Sequence, residues 1–180
     1  MKSIIATLLV CLFTNCALSL DGSPFEVIGK AKLIATWNVE DDENRVNGTL
    51  SGGDEISISI LQNNLYVQAI HNKIGNQLFI LEDYDTESLM ISVYEYDFDK
   101  DGLPEIMVVD SPEFSIVNIH IYRYSNGLSE LVGNLFGQFG IYLEDNFISL
   151  PFGSQGLVDE YIFKDGSFFN LVFHDPNKED

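Results

Sequence analysis

Short apolar stretches, separated by turn residues, follow one another along most of the chain. Isoleucine, valine, tyrosine and phenylalanine dominate them, and many alternate with polar residues, as in β-strands that bury one face. We find no stretch with the period of an amphipathic helix. The pattern therefore predicts an all-β fold. The clearest predicted strands are FEVIGKAKLIATW, DEISISIL, NLYVQAI, QLFIL, SLMISVYEY, EIMVV, SIVNIHIYRY, GIYLE, NFISL, DEYIF and SFFNLVF.

Turn signals such as QNN, YSNG, LEDN and FKDG separate these strands. The pairs Asn126-Gly127 and Asp165-Gly166 suit tight hairpin turns, in which both residues take positive φ. The most polar segment, NVEDDENRVNGTLSGGDE, predicts a mobile loop or a strand extension. No long linker divides the chain. We expect a single domain, an antiparallel meander that is either propeller-blade-like or barrel-like.

The N-terminus has a different character from the rest of the chain. A positive start precedes the apolar run IIATLLVCLF, which is too short to span a bilayer. Ala17 and Ser19 are small residues where a signal peptidase cleaves, so we expect a signal peptide at residues 1–19 and an exported domain at residues 20–180. The alternative is a lipoprotein acylated at Cys16, although the residues just before this cysteine do not match a lipobox.

Export implies a periplasmic or extracellular protein. No later stretch is long and apolar enough to predict a membrane helix. The last residues, 171–180, are expected to be frayed. Asn47 begins a glycosylation sequon, which has meaning only if the source is eukaryotic.

Charge narrows the range of partners. The chain has nine basic and 28 acidic residues, and its net charge is −19. One lysine lies in the leader, so eight basic and 28 acidic residues remain after cleavage, a net charge of −20. This charge disfavours nucleic acid and anionic membranes and permits cations or basic proteins. Both cysteines, Cys11 and Cys16, lie in the leader, so the exported domain must rely on its core or on a bound metal.

The most informative motif is the acidic stretch YEYDFDKDGLPEIMVV. Its aspartates occupy positions 1, 3 and 5 of a loop, glycine follows at position 6, and a carbonyl oxygen is available at position 7. Side chains at this spacing converge on one ion, and several hard carboxylate oxygens suit Ca²⁺ better than Mg²⁺. The sequence therefore predicts a calcium site formed by Asp97, Asp99, Asp101, the carbonyl oxygen of Leu103, and Glu105.

The loop is not that of an EF-hand, because β-prone stretches flank it and Val108 stands where an EF-hand has its bidentate glutamate. From about Val93 to Val109 the chain resembles the calcium loops of FG-GAP and VCBS repeats, which lie on blade hairpins of integrin-type propellers. From VYEYDFDKDG to YIFKDGSFF it is also similar to small exported β domains related to periplasmic lysozyme inhibitors and to immunity proteins against peptidoglycan hydrolases. These resemblances imply a calcium loop and a surface loop that plugs a hydrolase cleft.

The stretch LPFGSQGLVDEY predicts the partner-binding loop. Its proline and glycines shape an irregular connection, and loops on a rigid β scaffold often carry binding. The alternative is an ordinary long hairpin loop in which Phe152 joins the core. The candidate binding residues are Phe152, Ser154, Gln155 and Leu157.

The sequence favours a protein that is not an enzyme. It contains no nucleophile elbow, no His-x-x-x-His and no phosphate-binding glycine loop. We expect an exported calcium-binding domain that recognises a protein, a basic peptidoglycan hydrolase which it inhibits. One alternative is an adhesion or glycan-binding module in which Trp37 and tyrosines stack on sugars. Another is a hydrolase whose carboxylate pair is hidden among the 28 acids.

Overall fold

The computed structural model describes residues 26–40, 43–82, 89–113, 115–152 and 157–171. These residues form fourteen strands and no helix, so none of them forms a helix that could cross a membrane. The all-β, antiparallel prediction is confirmed, and the sheets do not close into a barrel. The strands are β1 Glu26–Ile28, β2 Lys32–Asn38, β3 Arg45–Thr49, β4 Glu55–Leu61, β5 Asn64–His71, β6 Ile74–Leu81, β7 Met90–Tyr96, β8 Glu105–Glu113, β9 Ile116–Ser125, β10 Leu128–Gln138, β11 Gly140–Glu144, β12 Phe147–Phe152, β13 Leu157–Lys164 and β14 Ser167–Asn170.

The strands form three sheets. The central sheet has the order β10-β9-β8-β7-β2, the C-terminal sheet β1-β11-β12-β13-β14, and the four-stranded sheet β3-β4-β5-β6. Each contains four consecutive antiparallel strands, which is the arrangement within a propeller blade. In addition, β2 pairs antiparallel with β7, and β1 pairs parallel with β11.

The central sheet is buried on both faces. Met90 and Tyr94 of β7 belong to one hydrophobic core, whereas Ile91 and Val93 belong to a second core on the other face. Because β7 and β8 are covered on both sides, they read in the sequence as nearly continuous apolar runs. The C-terminal sheet completes the first core with Ile141, Leu143, Ile148, Leu150 and Phe163, and the four-stranded sheet completes the second with Ile56, Ile58, Leu65, Val67 and Ala69.

Three details of the strand prediction needed correction. The first predicted strand is two strands, β1 and β2, which lie in different sheets. The polar segment expected as a loop or strand extension contains β3. We did not predict β10, because glycines at 133 and 137 weaken a strand signal. Gly133 instead allows close packing, since a Cβ there would lie 2.7 Å from a ring carbon of Phe168.

Both predicted hairpin turns are confirmed, because Asn126, Gly127, Asp165 and Gly166 all have positive φ. The predicted signal peptide and both cysteines lie outside the described residues. Within the tail expected to fray, the described part ends at Leu171, whose amide donates to the carbonyl oxygen of Glu160 at 2.7 Å.

Candidate metal centre

The acidic loop connects β7 to β8 at one end of the central sheet. Tyr96 and Glu105 are cross-strand partners at its base. Lys100 has a φ of 61° and Gly102 a φ of 87°. The sharp turn predicted at the sixth loop position is therefore present, at a residue that tolerates this conformation.

Phe98 anchors the loop to the first core. Its side chain is 0% exposed and packs against Tyr96, Phe168 and Phe163, with ring centroids 4.7, 5.0 and 5.8 Å away. The residues on either side of it are more accessible, since Asp97 is half-buried and Asp99 is exposed. The buried ring thus fixes the position of the two aspartates that flank it.

Three of the predicted ligands come together. Each of Asp97, Asp99 and Glu105 offers a carboxylate oxygen, and these three oxygens lie within 4.8 Å of one another. Among the described residues, no other group of three potential ligands meets this distance. We call these residues the acidic triad.

Glu105 is the buried member of the acidic triad, with 2% of its surface exposed. Its Oε2 accepts a hydrogen bond from the amide of Phe98 at 3.2 Å. Burial raises the pKa of Glu105 to about 7, and the charge of Asp99 pushes it in the same direction, against the lowering effect of the Phe98 amide. A cation at the triad would favour the ionised carboxylate.

Backbone amides hold the curl of the loop. The two oxygens of Asp97 accept from the amides of Asp101 at 3.2 Å and Gly102 at 2.9 Å. Asp99 Oδ1 also accepts from the Asp101 amide, at 3.2 Å. The predicted ligand Asp101 lies outside the acidic triad, and its Oδ1 accepts from the amide of Leu103 at 2.7 Å. The side chain of Leu103 is exposed, so only its backbone is available to a metal.

Two basic side chains contact acidic groups at the loop, Lys100 from the loop itself and Arg123 from β9. Lys100 Nζ donates at 2.7 Å to Oδ1 of Asp145, a residue of the turn between β11 and β12. Arg123 Nη2 lies 3.9 Å from Asp99 Oδ2. Sequence reasoning missed the roles of both Phe98 and Arg123. The lone apolar residue among the aspartates was a signal for Phe98, whereas Arg123 reaches the loop only through strand pairing.

Solvent has access to the loop through an open groove of about 460 Å³. Asp97, Tyr96, Lys100 and Pro104 contribute to its wall, together with residues of β2 and of the turn before β12. Asp97 is the member of the acidic triad that lines this groove.

The predicted partner loop is described only at its two ends. Phe152 is 44% exposed and contacts Phe136 of β10 edge-to-face, with ring centroids 6.2 Å apart. Leu157 is the cross-strand partner of Phe152 and is also exposed. The alternative in which Phe152 is buried in the core is therefore wrong. Ser154 and Gln155 lie outside the described residues.

Two histidines and Trp37, which the glycan-binding alternative would place against a sugar, have structural partners. His71 Nδ1 lies 2.9 Å from Asp54 Oδ1, and His120 Nε2 lies 2.9 Å from Asp110 Oδ1. The indole of Trp37 is buried, and its Nε1 donates to the carbonyl oxygen of Glu43 at 2.9 Å. The indole is therefore part of the second core and is not available to stack on a sugar.

Comparison of the chain with models of protein families, with curated proteins and with solved structures found no match. The resemblances noted in the sequence therefore stay predictions.

Proposed function

We propose that the chain is a calcium-binding β domain in which the loop between β7 and β8 holds one Ca²⁺. The supporting observation is the acidic triad, whose three carboxylate oxygens lie within 4.8 Å of one another on a loop with a 1-3-5 aspartate spacing. Hard anionic oxygens are the ligands that Ca²⁺ prefers. Asp97, Asp99 and Glu105 would bind the ion, and Asp101 and the Leu103 carbonyl are the additional ligands that the loop sequence offers.

The proposed role of calcium is structural. Three carboxylates in close contact repel one another, and one of them, Glu105, is almost fully buried. A divalent cation would cancel this repulsion and join the loop residues just after β7 to the first residue of β8. In a domain without disulfides, such a link contributes directly to folding free energy.

We also propose that the domain is exported and acts by binding a protein, without catalysis of its own. Its strongly negative charge favours a basic partner and speeds their encounter. The exposed aromatic pair of Phe136 and Phe152 offers an apolar anchor of the kind that is enriched at protein interfaces. The partner class that fits the charge and the sequence resemblance is a basic peptidoglycan hydrolase, which the domain would inhibit.

Isothermal titration calorimetry tests the calcium proposal. We expect one site per chain for Ca²⁺ in the full protein, with much weaker binding of Mg²⁺, which demands stricter octahedral geometry. Absence of a binding isotherm at millimolar calcium would reduce the loop to a charged turn.

A turbidity assay tests the partner proposal. Suspended cell walls are treated with a basic hydrolase, with and without the protein, and we expect the protein to slow the clearing. Unchanged clearing, together with binding on a glycan array, would instead support the adhesion or glycan-binding alternative.

A further inference from the structure

Arg123 is the basic residue that the fold brings to the acidic triad. It follows Tyr122 of β9, whose cross-strand partner Ile106 directly follows Glu105. Its Nη2 lies 3.9 Å from Asp99 Oδ2, and 43% of the arginine side chain is exposed. Among the described residues it is the one basic side chain within 4.0 Å of a triad oxygen, since Lys100 pairs with Asp145 instead.

The guanidinium is held in place from its other side. Its central carbon lies 5.9 Å from the centroid of the Phe163 ring, within the range of a cation–π contact. The turn between β13 and β14 also packs against it, because a Cβ on Gly166 would lie 3.0 Å from Nη1 and 3.2 Å from Nη2. The C-terminal sheet therefore limits how far Arg123 can withdraw from the acidic triad.

We propose that Arg123 is a built-in competitor of the metal ion, which lowers the affinity of the loop for calcium. This inference rests on the calcium-binding function proposed above. Without the ion, the positive charge of Arg123 offsets part of the repulsion within the acidic triad. With the ion bound, Arg123 and Ca²⁺ are like charges held a few ångströms apart, and their repulsion opposes binding.

The expected size of the effect follows from Coulomb's law. A single and a double positive charge about 6 Å apart in a water-like dielectric repel enough to change an affinity roughly tenfold. Salt screens part of this repulsion. We expect removal of the charge to tighten calcium binding by roughly three- to tenfold. The competitor thus moves the affinity toward the weaker range that is typical of extracellular calcium modules.

Titration calorimetry of four full-length proteins tests this role: the wild type, Arg123→Met, Arg123→Lys and Arg45→Met. Arg45 is a matched control, because its Nη2 also lies 3.9 Å from a carboxylate, that of Glu55, and its side chain is 55% exposed. It differs from Arg123 in that it belongs to the four-stranded sheet and not to the sheet that carries the acidic loop. We expect Arg123→Met to bind calcium more tightly than the wild type. Arg123→Lys keeps the charge and should bind calcium with an affinity close to that of the wild type. Arg45→Met changes the net charge by the same amount as Arg123→Met and should also bind like the wild type.

Arg123→Gln serves as a second neutral variant if Arg123→Met does not fold. Equal or weaker calcium binding by the neutral variant would overturn the proposal, and weaker binding would show that Arg123 positions Asp99 for the ion. Failure of the calcium proposal looks different: neither the wild type nor the neutral variant would bind calcium. Binding by the neutral variant that is stronger than binding by the wild type supports both proposals.

Discussion

Phe98 is the residue that joins the acidic loop to the hydrophobic core. Its ring packs among three other aromatic rings, while the residues beside it carry the carboxylates. Anchoring of this kind matters because the flanking aspartates repel each other and would otherwise separate. The geometry of the acidic triad therefore depends on an apolar side chain within the motif.

Replacing Phe98 with alanine should destabilise the domain by about 3–5 kcal/mol, because a fully buried aromatic ring is removed. Urea unfolding at neutral pH measures the change. Phe152→Ala is the control, since Phe152 is 44% exposed and its loss should leave the unfolding free energy nearly unchanged. Similar small losses for both variants would show that Phe98 does not anchor the loop.

Asp99 and Asp101 should differ in their importance for calcium. Asp99 belongs to the acidic triad, whereas the carboxylate of Asp101 accepts from the amide of Leu103. We expect Asp99→Asn to abolish calcium binding detected by calorimetry and Asp101→Asn to weaken it less. If Asp101→Asn were the more damaging substitution, the carboxylate of Asp101 would have to turn toward the ion on binding.

At the scale of elements, a polar contact joins the four-stranded sheet to the central sheet. Asp54, just before β4, accepts from the hydroxyl of Tyr124 on β9 at 2.8 Å. Its other carboxylate oxygen lies 2.9 Å from Nδ1 of His71, at the end of β5. Burial alone would raise the pKa of Asp54, but the bonds from Tyr124 and His71 outweigh it and hold the pKa below its ordinary value.

A lowered pKa in the folded state means that the charged form of Asp54 stabilises the fold above its unfolded pKa, and that this stability is lost as pH falls through the folded pKa. We expect Asp54→Asn to lower the unfolding free energy at pH 7 by about 1.5–3 kcal/mol, the range for hydrogen bonds to charged groups. The difference from the wild type should narrow below about pH 4. Urea unfolding of both proteins at pH 7 and below about pH 4 measures this difference in unfolding free energy. A difference of equal size at both pH values would contradict the role of the charge.

The strands that sequence analysis located best are those with apolar residues packed against a neighbouring sheet. β10 escaped prediction because Gly133 lowers strand propensity while allowing close packing against Phe168, a contact between sheets. The convergence of Asp97, Asp99 and Glu105 was predictable because these residues are close in sequence. The proximity of Arg123 to Asp99 was not predictable, since it depends on the pairing of β8 with β9. The carboxylate of Asp101 lies outside the acidic triad and accepts a local hydrogen bond from the Leu103 amide, and its expected role as a ligand stays a prediction.

For the whole molecule, the acidic triad and the exposed aromatic pair lie toward opposite ends of the central sheet. The loop adjoins Glu105, at the start of β8. Phe136 is the cross-strand partner of Asn118, near the start of β9. The start of β9 lies next to the end of β8, which is the end of the sheet away from Glu105. Calcium would therefore act on partner binding through the stability of the fold and not through direct contact.

Substitutions at the aromatic pair should separate partner binding from calcium binding. Phe136→Ala together with Phe152→Ala should weaken binding of a basic hydrolase, measured by surface plasmon resonance, because interface anchors are removed. Calcium affinity should stay unchanged in the same protein. Undiminished hydrolase binding would place the interface elsewhere on the acidic surface.

The most direct test of the calcium proposal is the unfolding free energy of the wild-type protein measured with calcium and with a chelator. Calcium at about 100 times its dissociation constant should raise that free energy by roughly 2.7 kcal/mol if it binds only the folded state. Asp99→Asn should show no such increase, and magnesium should replace calcium poorly. Equal unfolding free energies with calcium and with chelator would contradict a metal site in this loop.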